Sequence, residues 1–169
     1  KGKKDNFGGG ILILNTSKKS MFINTDFSYL SGLEKKRFFD SKYNIFEIKT
    51  FYQGNKLNDY SYKMYDSRNS NYNLLDGRVL YGSLNLFNTT ADIINCSFSK
   101  IDSEDGINFI SSRYLIKNVK FEELSGDAID IDFGSGKIID SLFKNIGNDG
   151  VDLSGTEGFL ENLEFERIS

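Results

Sequence analysis

A repeat of about 22 residues governs the second half of this 169-residue chain. Phe98, Phe121, Phe143 and Phe165 recur at intervals of 23, 22 and 22. Five residues before each stands an aliphatic (Ile93, Ile116, Ile138, Leu160), and three after each stands another (Ile101, Leu124, Ile146, Ile168). Asn95, Asn118, Asp140 and Asn162 lie three before each Phe. A second block keeps the same phase: Asp105-Gly106-Ile107-Asn108-Phe109, Asp127-Ala128-Ile129-Asp130-Ile131 and Asp149-Gly150-Val151-Asp152-Leu153. Within each unit apolar and polar residues alternate, which is the period of a strand and not of a helix. One such unit cannot bury its own apolar face, so the units must stack into a solenoid. A leucine-rich repeat of this period needs a Leu-x-x-Leu-x-Leu register and a helical segment per unit, and the chain has neither.

The expected fold is therefore an all-β parallel β-helix with coils of about 22 residues and a column of Phe rings inside it. Average usage would place about 8 Pro in a chain this long, yet there is none. Interior strands hydrogen-bond on both sides, and Pro donates nothing to a ladder. Ile23-Asn24-Thr25-Asp26-Phe27 is a fainter copy of Ile94-Asn95-Cys96-Ser97-Phe98. Between these copies, about residues 33–80 break the period and are rich in Tyr. We read the whole chain, 1–169, as a single β-helix domain, with 33–80 as an irregular insertion made of one or two irregular coils and a long loop. Ile168 is still in phase at the chain end. The expectation is a fragment of a longer chain, with further coils or another subunit covering that end.

The units Ile-x-Asn-x-x-Phe and Gly126-Asp127-Ala128-Ile129-Asp130-Ile131, with Asn148-Asp149-Gly150-Val151-Asp152-Leu153-Ser154-Gly155, resemble right-handed parallel β-helix repeats of the pectate-lyase-like superfamily. They also resemble uncharacterised β-helix regions of bacterial surface proteins. The resemblance implies a right-handed coil and an extracellular or cell-surface location. It does not carry an activity, because this fold hosts lyases, hydrolases, epimerases, adhesins and spacers.

Composition narrows the chemistry. With no His and a single Cys, there is no Ser-His-Asp or Cys-His nucleophile, no His-ligated zinc and no intrachain disulfide. A net charge of −3 argues against a nucleic-acid partner, and no apolar run is long enough to span a membrane.

Acid density is the remaining signal. With Ile129 and Ile131 pointing inward, alternation turns Asp130 and Asp132 outward onto one face. Asp152 stacks on Asp130 one coil on, and Asn108 takes the same place one coil back. Carboxylates about 4.8 Å apart repel by about 3.5 kcal/mol at an effective dielectric of 20, and by about 1 kcal/mol in water. Asp105, Asp127 and Asp149, each at a bend, are accounted for by accepting turn N–H groups. Asp130, Asp132 and Asp152 are mid-strand and need another account: a solvated acidic face, or a cation site. Oxygen ligands without His or Cys select Ca²⁺.

Three functional readings follow. The leading one is a non-catalytic module that binds polysaccharide, using Tyr60, Tyr62, Tyr65 and Asn108 beside the Asp face. The second is a Ca²⁺-dependent lyase or a glycoside hydrolase using Asp130, Asp132 and Asp152. In the lyases that the chain resembles, Ca²⁺ neutralises a uronate and a Lys or Arg takes the proton; Arg113, Lys117, Lys137 and Lys144 are the candidate bases. Hydrolysis needs paired carboxylates about 5.5 Å or 6.5–9.5 Å apart. The third reading is a structural spacer.

Overall fold

The computed structural model describes residues 7–32 and 82–169 in full. Within 33–81 it describes only the backbone of five short strands: β4 (Phe39–Asp40), β5 (Ile45–Phe46), β6 (Tyr62–Lys63), β7 (Asn73–Leu75) and β8 (Arg78–Leu80). These pair antiparallel among themselves. The first layer of the stack is β1 (Ile11–Leu14), β2 (Ser20–Ile23) and β3 (Asp26–Ser28). The second is β9 (Gly82–Phe87), β10 (Thr90–Ile94) and β11 (Ser97–Ile101). The third is β12 (Asp105–Ile110), β13 (Arg113–Lys117) and β14 (Lys120–Leu124). The last two layers are β15 (Asp127–Asp132) with β16 (Ser135–Ile146), and β17 (Val151–Ser154) with β18 (Glu157–Ile168).

Every pairing between layers is parallel, which makes a β-solenoid of about four turns. One sheet runs β1-β9-β12-β15-β17, and the larger sheet wraps the other two sides of each turn, with β16 and β18 each continuing around the corner between them. The register is the one that the repeat requires: Phe98 pairs with Phe27 and Phe121, and Phe143 with Phe121 and Phe165. Four ring pairs stack at centroid distances of 4.5, 5.2, 4.9 and 4.8 Å, close to the spacing of the strands that carry them. Phe98, Phe121 and Phe143 are fully buried, as are Ile93, Ile116 and Ile138 on the wall beside them.

The expectation of irregular coils between the two copies is overturned. β1 hydrogen-bonds directly to β9, β2 to β10 and β3 to β11. With β12 on the other edge of β9, both edges of that strand are taken, and the stack has no place for an intervening coil.

The corners rest on a backbone device. Three residues per layer adopt the left-handed region, in three columns of five. Asn24, Asn95, Asn118, Asp140 and Asn162 form one column, with φ between 50° and 53°. Asn and Asp tolerate this region better than other side chains, so the recurring Asn is a backbone requirement. The ladder is real, with Asn118 Nδ2 donating to Asn95 Oδ1 at 2.8 Å and Asn162 Nδ2 to Asp140 Oδ1 at 2.8 Å. It runs along the outside of the stack, where Asn95, Asn118, Asp140 and Asn162 are all exposed. Left-handed φ swings the side chain out of the pleat and off the core.

Candidate acidic site

The outer face of the first sheet changes character along the stack. In β9, Asn85 is fully buried and satisfied: its Oδ1 accepts from Gly82 N at 2.9 Å, and its Nδ2 donates to Gly82 O at 2.6 Å. One layer on, Asp105 replaces Gly82 in register and Asn108 replaces Asn85. Asn108 Nδ2 now donates to Asp105 Oδ2 at 2.9 Å and to Asp130 Oδ2 at 3.3 Å. Among the described residues its Oδ1 has no donor, although Asn108 is 1% exposed. A buried acceptor with no partner costs about 1–3 kcal/mol.

Two columns of acids meet here. Asp105 stacks on Asp127, and Asp127 Oδ1 accepts from Asp149 N at 2.8 Å and from Asn148 Nδ2 at 2.6 Å. Asn108 stacks on Asp130, and Asp130 on Asp152. Burial pushes the Asp105 carboxyl up to about 8, with the charges of Asp130, Asp127 and Glu104 adding to the effect and the Asn108 hydrogen bond opposing it. Burial also raises Asp130 to about 7, reinforced by Asp132, Asp152, Asp127 and Glu104. The charges acting on these two groups are all acidic.

The Asp-Gly steps that looked like turns have another cause. A Cβ on Gly150 would sit 2.5 Å from the Phe165 ring, and one on Gly106 would sit 2.6 Å from Leu124 Cδ2. Glycine is there for close packing of the sheet on the core, and Asp127 takes its N–H partners from the next layer.

Asp130, Asp132 and Asp152 do line one strand register, but the group whose oxygens lie within 4.8 Å of one another, among the described residues, is Asp127, Asp149 and Asp152. This trio can hold a metal ion, and its all-oxygen donor set suits a hard cation. Asp127 and Asp149 were not legible as members, because an Asp at a bend reads as a turn residue. Asp130 reaches the trio through charge.

The candidate bases stand on other strands. Arg113 and Lys117 lie on β13, and Lys137 and Lys144 on β16, all in the larger sheet. Lys144 pairs with Glu166 at 2.9 Å. Tyr60 and Tyr65 lie outside the described residues, and of Tyr62 only the backbone is described, in β6. Cys96 is buried beside the Asn column, its Sγ 3.3 Å from Ile94 O. Among the described residues, no helix is long and apolar enough to cross a membrane.

These features define a class, a parallel β-solenoid with an acidic wall. No protein family, curated protein or solved structure matches the chain.

Proposed function

We propose that this chain is a non-catalytic β-solenoid module of an extracellular or surface protein, and that it binds polysaccharide on its acidic wall with Ca²⁺ as the companion ion. The observation that supports this reading is the solvent-facing group of Asp127, Asp149 and Asp152, whose oxygens lie within 4.8 Å of one another. Sugar hydroxyls donate hydrogen bonds to Asn and Asp, and a wall that repeats along the stack suits a repeating ligand. Ca²⁺ at Asp127, Asp149 and Asp152 would neutralise the repulsion and keep coordination places for water or a diol. Tyr60, Tyr62 and Tyr65 are proposed as further contacts from the insertion. The right-handed coil and the pectate-lyase-like kinship belong to the same proposal. Isothermal calorimetry with Ca²⁺ tests it: the expected outcome is saturable heat and a raised melting temperature, both lost in Asp127→Asn/Asp152→Asn. No heat and no thermal shift at millimolar Ca²⁺ would remove the ion from the reading.

One observation favours a second reading. Asp130, held protonated up to about pH 7 and stacked on Asp152, has the character of a general acid in glycoside hydrolysis. The lyase reading has less support, because the candidate bases lie on the other sheet. Release of reducing ends from xylan or polygalacturonate, abolished in Asp130→Asn, would establish the hydrolase.

A further inference from the structure

The exposed Asn column has one break. Each rung donates its amide to the layer before it, Asn118 Nδ2 to Asn95 Oδ1 and Asn162 Nδ2 to Asp140 Oδ1, both at 2.8 Å. Asp140 accepts in this way, but an ionised carboxylate has no hydrogen to pass on. Among the described residues, Asn118 Oδ1 therefore has no donor, and the next rung, about 4.8 Å along the stack, offers it only acceptors. The backbone does not ask for the acid. Asp140 has φ of 53°, which Asn enters as readily, and an amide there would close the ladder.

The break lies on the rim of a groove of about 560 Å³ that crosses the strands at this corner. One rim is the Asn column from Asn95 to Asn162, about 14 Å over three strand spacings. Lys120, Leu142 and Glu164 stand along the other, and buried Val119 lies on the floor. Asp26, Asp140 and Glu164 bring three carboxylates to the groove. Lys120 is the one cation that lines it, and it already pairs with Glu122 at 2.6 Å. We infer that this groove binds a linear glycan carrying free amino groups, with one ammonium seated between Asn118 Oδ1 and Asp140. An ammonium has three donors and no acceptor, so it satisfies a gap between two acceptors, whereas a hydroxyl has one hydrogen to give. Its charge also offsets the carboxylates. The second N–H of each exposed amide can meet a sugar hydroxyl, and Leu142 and Val119 offer an apolar bed to ring C–H groups. A simple polyamine would use neither. The groove belongs to the larger sheet and not to the sheet of the acidic wall, so this inference does not depend on the Ca²⁺ reading.

Isothermal calorimetry with a glucosamine oligomer, its N-acetylated counterpart and spermidine tests it, in mildly acidic buffer that keeps the amines charged. The glucosamine oligomer should bind, and added salt should weaken it. The N-acetylated oligomer and spermidine should bind about tenfold more weakly or not at all. Asp140→Asn should lose about tenfold in affinity while its melting temperature stays level or rises, because the new amide completes the ladder. Glu164→Gln should lose less, and Asp127→Asn/Asp152→Asn should bind as the native chain does. No heat with the glucosamine oligomer would overturn the inference and leave the acidic wall untouched. Equal binding of the N-acetylated oligomer would overturn the amine, and equal binding of spermidine would overturn the glycan. Undiminished binding by Asp140→Asn would overturn the seat. If that variant melts lower, Glu164→Gln decides, and an unchanged affinity there overturns the groove. Loss of binding in Asp127→Asn/Asp152→Asn would move the ligand to the wall and overturn it as well.

Discussion

The inner and outer columns of this solenoid obey one register with opposite energetic signs. Inside, register places Phe27, Phe98, Phe121, Phe143 and Phe165 one above another, and each repetition adds a stacked ring pair. Outside, the same register places Asp105 on Asp127 and Asp130 on Asp152, and each repetition adds repulsion. On the larger sheet some of the outer charges are paired, as in Lys19 with Asp92 at 3.0 Å and Lys120 with Glu122 at 2.6 Å. The fold therefore does not require unpaired acid outside. Asn85, in the same column, shows that a neutral amide serves there. The acids are a departure from what the fold needs, and departures of this kind mark function more often than packing does.

The largest expected effect breaks the inner column. Phe121 is fully buried between two rings, so Phe121→Ala should cost about 3–5 kcal/mol from transfer and cavity together. Phe165 is 50% exposed at the last layer, so Phe165→Ala should cost about 1–2 kcal/mol. Urea denaturation of the two variants measures the difference. Equal costs would mean that the column does not work as a stack.

The second prediction concerns the outer columns and pH. The carboxyls of Asp105 and Asp130 are raised in the folded state to about 8 and about 7, against about 3.9 in an unfolded chain. The folded state therefore holds protons that the unfolded state has released. Its stability from these groups is fully present below about pH 4 and falls as pH rises through 7–8, at up to about 1.4 kcal/mol per pH unit for each group. Urea midpoints should fall between pH 5 and pH 8. Asp105→Asn/Asp130→Asn should flatten that dependence and raise stability at pH 8. A native chain that gains stability over this range would refute the wall as a source of strain.

The sequence carried the inner columns in full, because a 22-residue period in large apolar residues has only stacking as its physical meaning. The correspondence of Phe27 to Phe98 within the repeat was readable from the five-residue pattern shared around each. The direct stacking of the first layer on the second was not readable, since nothing in residues 33–80 reveals whether a segment joins a stack or leaves it. In the site, alternation placed Asp130, Asp132 and Asp152 on one face. It missed Asp127 and Asp149, whose proximity to Asp152 depends on how the chain enters β15 and β17.

The smallest effect tests a third outer column, in which repetition neither stacks apolar rings nor repels. Asn118 has φ of 50° and donates to Asn95 Oδ1. If the backbone dictates Asn here, Asn118→Gly should be close to neutral, because glycine enters the left-handed region freely. Asn118→Ala should then cost about 1 kcal/mol. If the exposed ladder bond dictates it, Gly and Ala should cost alike, since both delete the amide. Thermal melts of the two variants decide between them, and we expect Ala to melt lower than Gly. That order would show that the outer Asn column answers to the turn of the coil. It would leave the acidic wall as the outer column whose residues the fold does not demand.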